Sequence, residues 1–212
     1  MENQKLKVQS SKFKGKETKT IHLPMTEEDA LALHAGDMVF INGLIVTGRD
    51  KLHRFLFNER PPKEKIPFDF GGTILYHCGP IVRNTPGGFK LIAGGPTTSM
   101  RVEMYAHRII SDYGIRGIMG KGGMGSQTLD ALQNNGCVYL NTMGGAAVYL
   151  AGRVKSVVGV WKLAEFGMTE AMWILDVNDF PAIVTMDSHG RNLHEELHAR
   201  SHREFRKLIG LG

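Results

Sequence analysis

Gly94-Gly95-Pro96-Thr97-Thr98-Ser99-Met100-Arg101 and Gly120-Lys121-Gly122-Gly123-Met124-Gly125 decide how this chain is read. The first follows the apolar run Lys90-Leu91-Ile92-Ala93 and the second follows Gly117-Ile118-Met119. Each precedes a segment of helical character, 98–112 and 126–134. Strand, glycine-rich turn and helix in that order offer free backbone N–H groups to an anion. Arg101 in one turn and Lys121 in the other add two fixed positive charges. The pair predicts a carboxylate or phosphate site, and leaves to the structure whether both turns face one cleft.

Outward from the turns, apolar runs alternate with helical segments. Strands are expected over 18–23, 37–46, 72–78, 89–93, 115–119, 137–141, 157–161, 172–177 and 181–186, with a bend or bulge at Asn42-Gly43. Thr26 is a suitable N-cap for a short helix over 27–34, with Asp29 as a short capping-box partner. Thr47-Gly48-Arg49-Asp50 is another strand-to-helix junction and delivers Arg49 ahead of a helix over 50–59. In the 98–112 helix, Met100, Met104, Ile109 and Ile110 fall on one side, and Gly114 suits its C-terminal end. A terminal helix over about 191–209 has Leu193, Leu197, Phe205 and Leu208 as its apolar side. The fold class is therefore mixed α/β, with parallel and antiparallel strands in one sheet and helices packed against it. A basic, flexible segment over 1–15 and a single domain over 16–212 make up the chain.

Composition narrows the function classes. The net charge of +5 over 212 residues comes partly from Lys5, Lys7, Lys12, Lys14, Lys16 and Lys19. That run has only Phe13 as an interleaved aromatic, so a solvated tail or edge strand is favoured over a nucleic-acid arm. No apolar run approaches the roughly 18 residues of a membrane span, and the start lacks the apolar stretch of a signal peptide. A cytoplasmic location is expected. Cys78 and Cys137 form neither a CxxC motif nor a disulfide framework and read as buried thiols. Two thiolates are also too few for an iron–sulfur cluster.

Three motif readings fail or stay weak. A Walker A loop needs a Ser or Thr after its lysine, whereas Gly122 follows Lys121, and the spacing back to Gly114 is one residue too long. The G-x-G-x-x-G spelling of 120–125 follows a mid-chain strand and lacks the acidic partner some twenty residues on. His194-Glu195-Glu196-Leu197-His198 spells H-E-x-x-H, yet the helix around it is heavily charged and no third ligand is placed.

Thr97 and Thr98 are the most informative neutral groups. A threonine at such a junction serves most simply as the N-cap of the helix that follows. Two together permit one to cap and the other to turn into the site. A hydroxyl acts as a base only where its surroundings stabilise the alkoxide, which Lys121 or Arg101 would do. Arg101, in the first turn of a helix, is disfavoured by the dipole and makes better sense beside an anionic ligand.

Read together, TGRD at 47–50, HCGPIV at 77–82, GGPTTSMR at 94–101, GKGGMG at 120–125, WKLAEFGM at 161–168 and DSHG at 187–190 resemble the beta subunits of class I fumarate hydratases and of L-tartrate dehydratases. The resemblance runs from about Met25 through Asn192. It implies a swivelling β/β/α domain and a hydro-lyase active only with an alpha subunit. That subunit would hold an oxygen-labile 4Fe–4S cluster, whose open iron binds the substrate hydroxyl and carboxylate as a Lewis acid. This chain would hold no metal. The resemblance implies that Arg49, Arg101 and Lys121 bind the substrate carboxylates and that Thr97 acts in proton abstraction. Lys121 would also stabilise the developing charge, Thr98 would cap or orient, and Gly120 and Gly122 would shape the turn. An α2β2 heterotetramer is implied, the isolated chain self-associating as a dimer. Fumarate is the favoured substrate over tartrate and mesaconate. A non-catalytic anion-binding or assembly domain is the alternative of another class.

Overall fold

Apolar runs buried on both faces set the architecture of the chain, whose computed structural model describes residues 11–13 and 16–210. Strand β1 (Ser11–Phe13) pairs antiparallel with β2 (Lys16–His22), and β2 pairs parallel with β3 (Met38–Thr47) after the short helix α1 (Glu27–Leu31). Helix α2 (Asp50–Glu59) leads to β4 (Ile74–Tyr76), and a hairpin of β5 (Ile81–Thr85) and β6 (Gly88–Ala93) precedes α3 (Glu103–Tyr113). Then follow β7 (Gly117–Gly120), α4 (Ser126–Asn135), β8 (Val138–Asn141), α5 (Ala147–Ala151), β9 (Val154–Trp161), α6 (Leu163–Phe166), β10 (Met172–Met186) and α7 (Leu193–Leu208). Apart from Ser11–Phe13, the segment expected to be loose over 1–15 lies outside the described residues.

Strands β3, β4, β7 and β8 run parallel to one another. Strand β10 is antiparallel to both β8 and β3 and so closes the sheet into a barrel. Alternation assigns the two faces of each strand. Ile45, Ile74, Tyr76, Met119, Val138 and Leu140 turn into the barrel interior with Trp173 and Phe180. Their neighbours Val46, Leu75, Ile118 and Tyr139 turn outward, onto Leu52, Leu56, Ile109, Ile110 and Leu132 of α2, α3 and α4. Parallel strands covered on both faces must be apolar throughout, which is why these segments read as runs.

The expected mixed α/β fold of swivelling β/β/α type is the one observed, with four local differences. The segments expected as two strands over 172–186 form one, bent by a bulge at Asn178-Asp179. Asp179 takes a positive φ of 48° and its N–H donates to Asn42 Oδ1 at 3.0 Å, so the irregularity lies opposite Asn42-Gly43. The expected 98–112 helix is broken into a 3-10 turn, Ser99–Val102, and α3. Its Met100 and Met104 are exposed, while Ala106, Ile109, Ile110 and Tyr113 face the core. In α7 the apolar side expected to pack is open, with Leu197, Phe205 and Leu208 exposed. Other signals held: Thr26 and Asp29 form the capping box, and Gly114 ends α3 in the left-handed conformation.

Candidate anion-binding site

The two glycine-rich turns are hydrogen-bonded to each other. Lys121 N–H donates to the Thr97 carbonyl at 3.2 Å and Ser99 N–H donates to the Lys121 carbonyl at 3.0 Å, a short parallel bridge between Thr98 and Lys121. On its other side the Thr97 segment is pinned to the end of β4: its N–H and its Oγ1 both donate to the His77 carbonyl, at 2.8 and 3.1 Å. Pro96 bridges Cys78 in the same ribbon. The close approach requires glycine at 120, because a Cβ there would lie 2.0 Å from Ser99 Oγ. Gly122 and Gly123 take positive φ values of 84° and 73°, which L side chains resist.

Arg49, Asp50, His77, Thr97, Thr98 and Arg101 line one narrow cleft beside this junction. Lys121 is not part of that lining: its backbone bridges Thr98, while its side chain runs past Gly144. All three sequence-assigned cations and both threonines therefore stand at one end of the barrel. Arg101 pairs with Asp50, both half-exposed. Arg49 lies across Gly79, where a Cβ would come within 2.3 Å of its Nη1. Its Nε stands 3.3 Å from Glu170 Oε1. That distance suits an ion pair, but the alignment does not make a hydrogen bond, so this buried Nε has no hydrogen-bond partner. Lys121 makes no ion pair among the described residues. The structure thus shows the acidic counterparts, Asp50 and Glu170, that motif reading passed over. Asp50 sits in the first turn of α2, where a carboxylate suits the helix dipole.

The backbone is less free than the strand–turn–helix pattern suggests. The N–H groups of Thr97, Ser99 and Lys121 are spent within the junction, and Gly122 N–H donates to Asn141 Oδ1 at 3.3 Å. The start of α4 is filled by Glu103, whose carboxylate accepts from Gly125 N–H, Thr128 N–H and Thr128 Oγ1 at 2.9, 3.1 and 2.7 Å. Nor does either threonine cap by its side chain: Thr98 precedes the 3-10 turn without such a bond, and Thr97 is turned to His77. Positive charge at this site therefore comes from side chains, with the backbone holding them in place.

A chain of buried polar groups that no motif announced lies behind the cleft. His53 of α2 faces His77, Nε2 to Nε2, at 3.2 Å. His77 Nδ1 is 2.8 Å from Ser99 Oγ, which accepts from the Tyr139 hydroxyl at 2.8 Å. Burial pushes the His53 imidazole down to about 4 and lowers His77 well below its ordinary value, so both rings are neutral. His77 belongs to HCGPIV and Ser99 to GGPTTSMR, but the sequence assigned neither a role and joined neither to His53 or Tyr139.

Cys78 and Cys137 do not suit an iron–sulfur cluster. They are free, fully buried, and sit in different core clusters, Cys78 inside the barrel and Cys137 under the helices. Burial pushes both thiols up to about 12. Among the described residues no three His, Cys, Asp or Glu side chains converge as a metal site would require. In the H-E-x-x-H stretch, His194 Nε2 is engaged by Thr185 Oγ1 at 3.0 Å and His198 stacks on His202. No described helix is long and apolar enough to cross a membrane.

A parallel barrel closed by one long antiparallel strand, with an arginine-lined cleft at the strand-to-helix turns, is the architecture of a swivelling β/β/α domain. The chain belongs to the family described as fumarase C-terminus, whose model matches residues 1–197. It is 50% identical over 183 residues to a Geobacillus stearothermophilus protein named "Putative fumarate hydratase class I", covering 86% of this chain and 34% of that one. Over 188 residues it is 41% identical to the Methanocaldococcus jannaschii "Putative L(+)-tartrate dehydratase subunit beta", covering 88% of this chain and 96% of the relative. With the L(+)-tartrate dehydratase subunit beta of Escherichia coli K12 it shares 37% identity over 177 residues, 82% of this chain and 86% of the relative. The chain thus spans about a third of the first relative and nearly all of the second. Both patterns support a beta-subunit role in this hydro-lyase family.

Proposed function

We propose that this chain is the beta subunit of a 4Fe–4S-dependent hydro-lyase acting on a C4 dicarboxylate, in the first instance fumarate hydration to (S)-malate. The observation that carries the reading is the single cleft that gathers Thr97, Arg49 and Arg101, with the Thr97 backbone hydrogen-bonded to that of Lys121. A C4 dicarboxylate presents two planar anions. Arginines clamp such groups through paired N–H donors, and a lysine adds a compact charge. The ligand's carboxylates would displace Asp50 and Glu170 from their arginines. The Arg101–Asp50 pair is half-exposed, and pairs of that kind contribute little to stability.

In the hydration direction the Thr97 hydroxyl would give its proton to one olefinic carbon as hydroxide from water adds to the other, the proton left from that water restoring the hydroxyl, while Lys121 and the arginines stabilise the transient alkoxide. In dehydration the alkoxide takes that proton back. The same cations stabilise the aci-carboxylate charge that develops on the substrate. The hydroxyl donates to the His77 carbonyl at 3.1 Å, so it must turn from that carbonyl to give its proton to the substrate. The cluster would be held by a partner alpha subunit, because the buried Cys78 and Cys137 do not suit it. The truncated coverage of the Geobacillus relative agrees with such a division, this chain corresponding to one part of a longer protein. Exposed Met100 and Met104 beside Arg101, and Met143 and Val148 beyond Gly144, give that partner an apolar rim to cover.

Tartrate is the second reading, supported by the near-full-length matches to proteins named tartrate dehydratase subunit beta. Anaerobic co-expression with a cluster-bearing partner, assayed against fumarate, L-tartrate and mesaconate, tests the proposal. Fumarate hydration is expected, and no turnover of any of the three by a properly assembled, cluster-loaded complex contradicts it. An assembled complex that stays inert also favours the assembly-domain alternative.

A further inference from the structure

We propose that His77 and His53 are positioning residues: a pair of neutral imidazoles in opposite tautomers that fixes Thr97 and Arg49 relative to each other. The hydrogen bonds leave one consistent direction. His53 Nδ1 lies 2.8 Å from the Arg49 carbonyl, which only accepts, so this nitrogen carries the hydrogen. In a neutral ring, His53 Nε2 then holds a lone pair and must accept from His77 Nε2–H. His77 Nδ1 is left as an acceptor for Ser99 Oγ–H, and Ser99 Oγ accepts from the Tyr139 hydroxyl.

The thread therefore joins two turns of the site, running from Tyr139 of β8 through Ser99 of the threonine turn, His77 and His53 to the Arg49 carbonyl. Each ring also lies next to the group it would hold. His77 presents its own carbonyl to Thr97 N–H and Oγ1, and His53 donates to the Arg49 carbonyl through both backbone and ring. Protonating His53 puts two N–H donors face to face at 3.2 Å, whereas protonating His77 places a second donor against the Ser99 hydroxyl at 2.8 Å and forces that hydroxyl to turn; either change breaks the thread. The ionisable neighbours are Asp50, which favours a charged His53, and Tyr139 beyond Ser99, pushed up to about 12 by burial and so neutral. Burial outweighs Asp50 at His53. Buried polar chains fully satisfied in this way hold a single arrangement.

The kinetic part rests on the hydro-lyase reading; the tautomers do not. Nitrogen-15 NMR of the full chain reads them directly. His53 is expected as the Nδ1–H form and His77 as the Nε2–H form, both unprotonated at pH 6. Identical tautomers, or either ring charged at that pH, would overturn the inference and leave the hydro-lyase reading standing. In the assembled enzyme, His77→Asn keeps an acceptor for Ser99 but loses the donor to His53. It should lower kcat by roughly 10²-fold, the scale of an ångström's misplacement of a reacting group. The same substitution made on Thr97→Ala should cost almost nothing further. An equal loss in both backgrounds, or unchanged kcat, contradicts a positioning role. An inert wild-type complex with the expected tautomers sinks the hydro-lyase reading instead.

Discussion

The amide of Lys121 donates to the carbonyl of Thr97 at 3.2 Å, so two residues 24 positions apart in sequence are held together by main chain alone. Their main-chain separation is thereby fixed by strand geometry, while the rotamers of the long Lys121 side chain decide where its ammonium falls. Preorganisation of this sort is what a site that stabilises developing charge requires.

The junction depends on Gly120. In Gly120→Ala the new methyl meets Ser99 Oγ at 2.0 Å and the His77 ring at 3.2 Å, both of them buried and hydrogen-bonded. Overpacking of this kind costs about 1–3 kcal/mol. Urea unfolding should show a fall of that size, with kcat reduced alongside it.

Gly79→Ala acts on a different partner. Its Cβ would come within 2.3 Å of Arg49 Nη1 and 2.7 Å of Arg49 Cδ, and a long side chain moves aside more easily than a core does. The expected outcome is a KM for the dicarboxylate raised on the order of tenfold, the loss of about 1.4 kcal/mol of binding. The melting temperature should change little. Steady-state kinetics with thermal unfolding separates the two effects.

How much of this was legible in the sequence follows from the range of each signal. Capping by Thr26 and Asp29, the α2 boundaries and the glycine at the end of α3 depend on neighbours within a few residues, and local pattern located them. The turns delivering Arg49, Thr97, Arg101 and Lys121 were visible for the same reason. Pairings across the fold were not. Glu103 filling the start of α4, Asp50 on Arg101 and His53 on His77 join distant segments, and only the topology brings them together. The methionines misled because helical periodicity locates a stripe without saying what covers it. Met100 and Met104 are exposed, and the core face belongs to Ala106, Ile109 and Ile110.

Glu103 carries a separate expectation. Its carboxylate satisfies two N–H groups at the head of α4 and the buried Thr128 hydroxyl. Glu103→Ala leaves those donors unpaired, which should destabilise the chain by roughly 1–3 kcal/mol. Denaturant unfolding measures the loss, and hydrogen exchange should localise it to residues 125–128.

Stability should fall in mild acid because of the buried imidazoles. The folded His53 has its pKa lowered from 6.5 to about 4, whereas in the unfolded chain it titrates at its ordinary value. Above pH 6.5 neither state takes up the proton and this group leaves stability unchanged. Between pH 6.5 and 4 the unfolded state binds the proton and the folded state does not, so stability declines. The decline from His53 alone amounts to roughly 3 kcal/mol, and His77 acts in the same direction. Unfolding of wild type compared with His53→Asn across that range isolates the contribution, the variant showing the shallower fall.

Thr97 is where the account is most exposed. In the anaerobically assembled, cluster-loaded complex, Thr97→Ala should lower kcat for the dicarboxylate by about 10²–10⁴-fold, the usual contribution of a proton-transfer group. Complex assembly and KM should stay close to wild type, and Thr97→Ser should recover much of the rate. A Thr97→Ala complex that assembles normally and turns over at the wild-type rate would contradict the assignment of this turn as the proton-transfer half of a hydro-lyase site.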